Sequence, residues 1–175
     1  MGMRKDICAI WILDESTNQK LNEVKGATLD VFGIEYGPIY GHITFANLVD
    51  IDVDEVLRYT KKFTQGKKSF DINCAVLSLL STNCIACIPS VSRKLLRYYE
   101  EYHKKLDSYC NIWTRADLEL WLPHISLYVS ETEDMGAIIG EMAGRFHQFK
   151  GKVVRLELSV VNENNFEIIY SYDLE

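Results

Sequence analysis

A run of strand, capped helix, glycine, strand, asparagine-bearing turn and strand can be read twice along this chain, over 40–88 and again over 122–172. No other feature limits the possible folds as strongly. The two passes agree in residues as well as in order. His42-Ile43-Thr44-Phe45 matches His124-Ile125-Ser126-Leu127 at a spacing of 82 positions, 75–80 matches 156–161 at 81, and Asn83 matches Asn165 at 82. A duplicated unit is expected to fold as two lobes about an approximate two-fold axis, with equivalent positions facing each other. Helices alternating with hairpin-like strand pairs belong to the α+β class. The expectation is one two-lobed domain over 1–175, bilobal and duplicated, with two antiparallel sheets, helices outside and a central cleft.

Local signals set the elements. Residues 7–13 read as a buried strand, and Ser16 with Gln19 reads as a capping box for a helix that stops near Gly26. Residues 40–47 alternate as a strand, Asp52 with Glu55 caps a helix ended by Gly66, and 70–80 and 84–88 form a hairpin. Leu95, Tyr99, Tyr102, Leu106 and Tyr109 recur at steps of four and three, which predicts an amphipathic helix over 92–109. Residues 122–129 alternate again, Ser130 with Glu133 caps a helix, and Gly151 precedes strands at 153–161 and 166–174 turned at 162–165.

Composition narrows the class of partner. The 175 residues are 47% hydrophobic and 25% charged, as in a soluble globular domain. The longest apolar run, 7–13, is far short of the roughly 20 residues of a membrane span, so the expected compartment is the cytoplasm and no membrane partner is expected. A net charge of −6 argues against holding long nucleic acid through its phosphates, while leaving room for a short anionic ligand in a local pocket. Five cysteines at irregular spacing predict reduced thiols, and Cys84-x-x-Cys87 lies in what reads as a buried strand. No cofactor and no metal ligand set is expected.

Residues two apart on a strand share a face. His42 and Thr44 therefore point one way and Ile43 and Phe45 the other; His124 and Ser126 are likewise opposed to Ile125 and Leu127. The apolar side of each strand is committed to the core, which leaves the histidines for the cleft. Two imidazoles across a cleft can supply a general base and a general acid together, because an ordinary imidazole titrates near pH 6.5. The hydroxyls of Thr44 and Ser126 can donate to non-bridging phosphate oxygens. Tyr40 and Tyr128, beside the motifs, can stack on a base. The other histidines read as structural: His103 as a helix-surface partner of Asp107, His147 as a cation at a helix end.

With these residues the chain resembles the two-histidine phosphoesterase superfamily, the 2′-5′ RNA ligase-like proteins and their cyclic phosphodiesterase relatives. The resemblance rests on the doubled His-x-Thr/Ser and on an element order running through nearly the whole chain. It implies a bilobal fold with both motifs lining a cleft. It also implies action on a 2′,3′-cyclic phosphate or related small phosphodiester of a nucleotide or RNA end, without a metal, commonly leaving a 2′-phosphate. His42 and His124 become acid and base, and Thr44 and Ser126 hold the phosphate. Two departures stand out: neither motif is followed by the basic residue many relatives carry, and Gly41 stands where many have proline. A non-catalytic nucleotide or RNA-end binding module, and an interaction domain presenting the tyrosines of 92–109, are the alternative readings.

Overall fold

The computed structural model describes residues 3–162 and 165–175. In chain order the elements are β1 (Arg4–Leu13), α1 (Glu15–Phe32), β2 (His42–Asp52), α2 (Val53–Thr64), β3 (Phe70–Leu80), β4 (Cys84–Pro89), α3 (Arg93–Leu106), a 3-10 turn (Asp107–Tyr109), β5 (Ile125–Val129), α4 (Met135–Arg145), β6 (Phe149–Asn162) and β7 (Asn165–Asp173). Asp52 and Ser92 cap α2 and α3 through the backbone N–H groups of Glu55 and Leu95. Elsewhere the caps and breaks differ from expectation. Asp14, not Ser16, caps α1, and Asp134, not Ser130, caps α4; the Ser130 hydroxyl instead closes a turn by accepting from the Thr132 and Glu133 N–H groups. Gly26 does not end α1, which runs on to Gly33 at φ 65. It makes room for Tyr36, whose hydroxyl lies 2.6 Å from where a Cβ would sit. Gly151 likewise lies within β6 and admits the Thr17 side chain, 2.7 Å from its Cβ position. The expected turn at 162–165 includes 163 and 164, which lie outside the described residues.

The strands are antiparallel neighbours in the order β2-β1-β6-β3-β4-β5, with β7 also on β6. The two sheets expected from the repeat are thus halves of one continuous sheet, joined through β6. That strand pairs with β3 over Phe149–Val153 and with β1 over Val153–Val160. The order β2-β1-β6 in one half matches β5-β4-β3 in the other, so the structural repeat is β1-α1-β2-α2-β3 against β4-α3-β5-α4-β6. Its third strands are exchanged between halves. The stretches 40–88 and 122–172 are therefore not separate lobes, because β2 belongs to one half while β3 and β4 belong to the other. Helices α2 and α3 cover the β1–β2 half, and α1 and α4 the half built on β3, β4 and β5.

One core joins sheet and helices. Ile7, Ala9, Trp11 and Leu13 of β1 enter it, with Trp11 stacked on Phe45 at 4.5 Å and edged by Phe63, Phe70 and Tyr98. Tyr98, Tyr99 and Tyr102 of α3 are 4%, 4% and 0% exposed, so the tyrosine face proposed as a partner surface is turned inward. His103, expected on the helix surface, is 2% exposed. Among the described residues no helix is long and apolar enough to cross a membrane.

Candidate active site

The opposite face of β1 carries Cys8, Ile10 and Ile12; the two isoleucines are buried but stand outside the main core cluster. They form the floor beneath the motif strands. Thr44 pairs across with Ile10 and His42 with Ile12. In the other half Ser126 stands opposite Ala86 on β4. Strands β2 and β5 are the two ends of the sheet order, yet they lie close to each other. The sheet curls, and the motif strands flank the space it encloses.

The chain enters β2 through a segment clamped by α1. Asn22 Oδ1 accepts from Ile39 N (2.8 Å) and Asn18 Oδ1 from Gly41 N (2.9 Å), while Asn18 Nδ2 donates to the Leu13 carbonyl (3.2 Å). A Cβ on Gly41 would fall 2.0 Å from Asn18 Oδ1. This accounts for glycine where the second motif has Pro123: the position needs an N–H and has no room for a side chain. Beyond the clamp, His42 Nδ1 lies 2.7 Å from the Tyr40 carbonyl, and His124 Nδ1 lies 2.9 Å from the Leu122 carbonyl. A carbonyl only accepts, so each Nδ1 carries the proton and each Nε2 is the free nitrogen. Neutral, such an Nε2 accepts a proton; protonated, it donates one.

Ile43, Phe45, Ile125 and Leu127 are buried, whereas His42, Thr44, His124 and Ser126 are half-buried, as the alternation predicts. Each motif hydroxyl has a thiol beside it. Cys8 Sγ is 3.9 Å from Thr44 Oγ1, and Cys84 Sγ donates to Ser126 Oγ at 3.6 Å. A thiol that donates to the hydroxyl oxygen leaves the O–H of Ser126 free for an anion. Burial pushes the Cys8 thiol up to about 11, against a smaller opposing effect of Thr44. Cys84 and Cys87 face opposite sides of β4, so the C-x-x-C spacing does not converge.

Thr44 from β2 and His124, immediately before β5, line one cavity of about 270 Å³. Asn47 and Thr114 complete its polar lining, and Leu80, Trp113, Leu120, Trp121 and Leu122 its apolar walls. His42 and Ser126 lie on the same strand faces but do not line this cavity. Trp113 is 64% exposed. Trp121 has a structural duty, stacked on Tyr99 at 3.9 Å and donating to the Thr44 carbonyl (3.0 Å). The two tyrosines named with the motifs differ. The Tyr40 hydroxyl donates to Glu157 Oε2 (2.6 Å) and its ring centroid is 6.3 Å from that of His42; Tyr128 is half-buried against the core.

The Arg155–Glu157 pair and the thiols beside the motif hydroxyls were not read as part of the site from sequence. Arg155 on β6 lies across Ile12 from His42, with its Nε on Glu157 Oε1 (2.8 Å); Glu157 is 3% exposed and so bridges Arg155 and Tyr40 on the cleft side. The signal of Arg155 and Glu157 was the polar alternation Arg155, Glu157, Ser159 within the otherwise apolar stretch 153–161. The thiols' signal was their common spacing, since Cys8 precedes Ile10 as Cys84 precedes Ala86, each opposite a motif hydroxyl. Arg115 is paired with Asp117 outside this group.

No protein-family model matches the chain, and no curated protein matches it by sequence. Solved structures do match in fold. Escherichia coli LigT in its apo form superimposes with a TM-score of 0.67 at 10% identity, covering 98% of each chain. LigT complexed with NADP+ gives 0.66 at 11% over 99% of each, and TT0787 of Thermus thermophilus gives 0.65 at 14% over 98% of each. The match runs end to end along each chain, and the chain has the LigT fold.

Proposed function

We propose that the protein is a two-histidine phosphoesterase that opens 2′,3′-cyclic phosphates or cleaves a related small phosphodiester, without a metal in the chemical step, leaving a 2′-phosphate. The observation that carries the reading is the pair of imidazoles where the chain enters the two end strands, each fixed through Nδ1 to the carbonyl two residues upstream. Both free Nε2 atoms are therefore set for proton transfer. In the proposed reaction the Nε2 of His124 takes a proton from water as its oxygen attacks phosphorus. The Nε2 of His42, protonated, delivers a proton to the departing 3′ oxygen opposite. Thr44 and Ser126 donate hydrogen bonds to the non-bridging oxygens. Bond formation and bond cleavage lie on opposite sides of phosphorus, which suits two catalytic groups borne by two end strands.

Size and charge favour a small substrate. The cavity is near the lower bound of ligand clefts, about 300 Å³, and among the described residues no lysine or arginine lines it. LigT, which shares the fold, has been crystallised with NADP+, in keeping with a ligand of nucleotide size. The test is incubation with a panel of 2′,3′-cyclic nucleotides and cyclic-ended RNAs in the presence of chelator, with phosphorus NMR of the products. Ring opening to a 2′-phosphate is the expected result; a 3′-phosphate, or turnover only with a divalent ion, overturns the mechanism.

A further inference from the structure

The C-terminal end of α3 and the turn after it bring together three side chains that the proposed chemistry does not use. His103, Asp107 and Cys110 place a ring nitrogen, a carboxylate oxygen and a sulfur all within 4.8 Å of one another. His103 Nδ1 donates to the Tyr99 carbonyl (2.7 Å), while its Nε2 is buried without a hydrogen-bond partner. The Thr114 carbonyl, beside this ring, takes the Tyr99 hydroxyl at 3.0 Å. An imidazole anchored through one nitrogen to a carbonyl, with the other nitrogen left without a full hydrogen bond, is the arrangement found in metal-ligating histidines. The Asp107 carboxylate is held by the N–H groups of Ala116 (2.6 Å) and Asp117 (3.3 Å), and Cys110 is 6% exposed.

We propose that His103, Asp107 and Cys110 bind a divalent transition-metal ion of the zinc class. Bond lengths of about 2.0–2.3 Å in a tetrahedral site set ligand atoms roughly 3.3–3.8 Å apart. Closing from within 4.8 Å requires about an ångström or so of side-chain movement. The nitrogen and sulfur donors select against magnesium and calcium. On binding, a sulfur–metal bond replaces the Cys110 S–H bond and one proton goes to solvent; thiolate and carboxylate then balance the dication, and nothing is oxidised or reduced. Half-buried Asp107 leaves a side open for water as the fourth ligand.

The ion's place gives it a structural task. Cys110 bridges to Leu48 of β2, Asn111 N donates to the Asn47 carbonyl (2.8 Å), and Thr114 Oγ1 accepts from Asn47 N (3.0 Å). Asn47, Trp113 and Thr114 line the cavity. A bound ion would pin the root of the segment that walls the cleft, without touching His42 or His124.

The test is titration of the metal-stripped full chain with Co2+. One ion per chain is expected, with thiolate-to-cobalt charge-transfer absorption and the visible bands of a tetrahedral ion, both lost on adding Zn2+. Cys110→Ser should abolish the charge-transfer band, and Asp107→Asn or His103→Gln should weaken Co2+ binding at least about 10-fold. A Cys8→Ser/Cys84→Ser double variant should keep the band. One equivalent of Zn2+ should raise Tm in the unaltered chain and not in Asp107→Asn. Absence of the thiolate band from the unaltered chain overturns the proposal whatever the variants do, as does its loss in the Cys8/Cys84 variant.

Discussion

Replacing Gly41 by Ala in two backgrounds tests how the chain is held where it enters the first motif strand. Gly41 is buried and does not have a positive φ, so alanine fits its backbone, and the obstacle is the Asn18 amide 2.0 Å from the new Cβ. Gly41→Ala must push that amide aside and break its bonds to Gly41 N and the Leu13 carbonyl. Overpacking of this kind costs about 1–3 kcal/mol. Asn18→Ala alone leaves the same two backbone groups unmet in a partly buried place, at about 1 kcal/mol each, or about 2 kcal/mol together. In a chain of this length that lowers Tm by about 4–8 °C. Once Asn18 is alanine the main obstacle is gone and only Leu13 Cδ1, 3.0 Å from the new Cβ, must shift slightly, so Gly41→Ala should be close to neutral. The cycle therefore predicts a coupling of about 2 kcal/mol, read by urea unfolding of the four proteins. Additive effects, within about 0.5 kcal/mol, would falsify the clamp.

Other expectations follow from the same geometry. Cys8 should stay protonated well past pH 9, so its alkylation at pH 9, mapped by mass spectrometry, should be roughly 50-fold slower in the folded protein than in urea, from a thiol raised from 9.0 to about 11. Because the unfolded chain loses that proton first, Cys8 contributes stability below pH 9 that is lost between pH 9 and about 11; the fall in urea midpoint across that window should be smaller in Cys8→Ala, and an unchanged fall contradicts the burial argument. Trp113→Ala should raise KM about 5- to 100-fold on a nucleotide substrate with stability little changed, whereas Trp121→Ala should lower Tm, since its ring and N–H are both committed within the protein. Thr44→Val or Ser126→Ala should each cost about 10-fold in kcat/KM, less than either histidine, because water can replace one hydroxyl donor.

The motif strands were legible because their signal is local. Ile43, Phe45, Ile125 and Leu127 declare the core side, and strand alternation then aims the histidines and hydroxyls to the other. The doubled spacing announced a duplication but not its frame. That depends on long-range pairing: β6 takes its neighbours from β1, β7 and β3, residues up to 153 positions away, such as Ile7 and Val160. Glycines misled for a related reason. Gly26 and Gly151 read as breaks, yet each answers to a side chain distant in sequence or in another element, Tyr36 and Thr17. Arg155 and Glu157 were visible only as polar positions in the otherwise apolar stretch 153–161, with nothing local to say what they face.

The central claim is that two imidazoles serve one phosphate as acid and base. It is tested most directly by turnover of a 2′,3′-cyclic nucleotide in His42→Ala, His124→Ala and the double variant, measured across pH 5 to 9. Each single variant should lose about 10²- to 10⁴-fold in kcat and one limb of a bell-shaped pH profile, and the double variant should be far less than multiplicatively worse. Full activity in either single variant, or a bell that survives the loss of both histidines, would contradict the account.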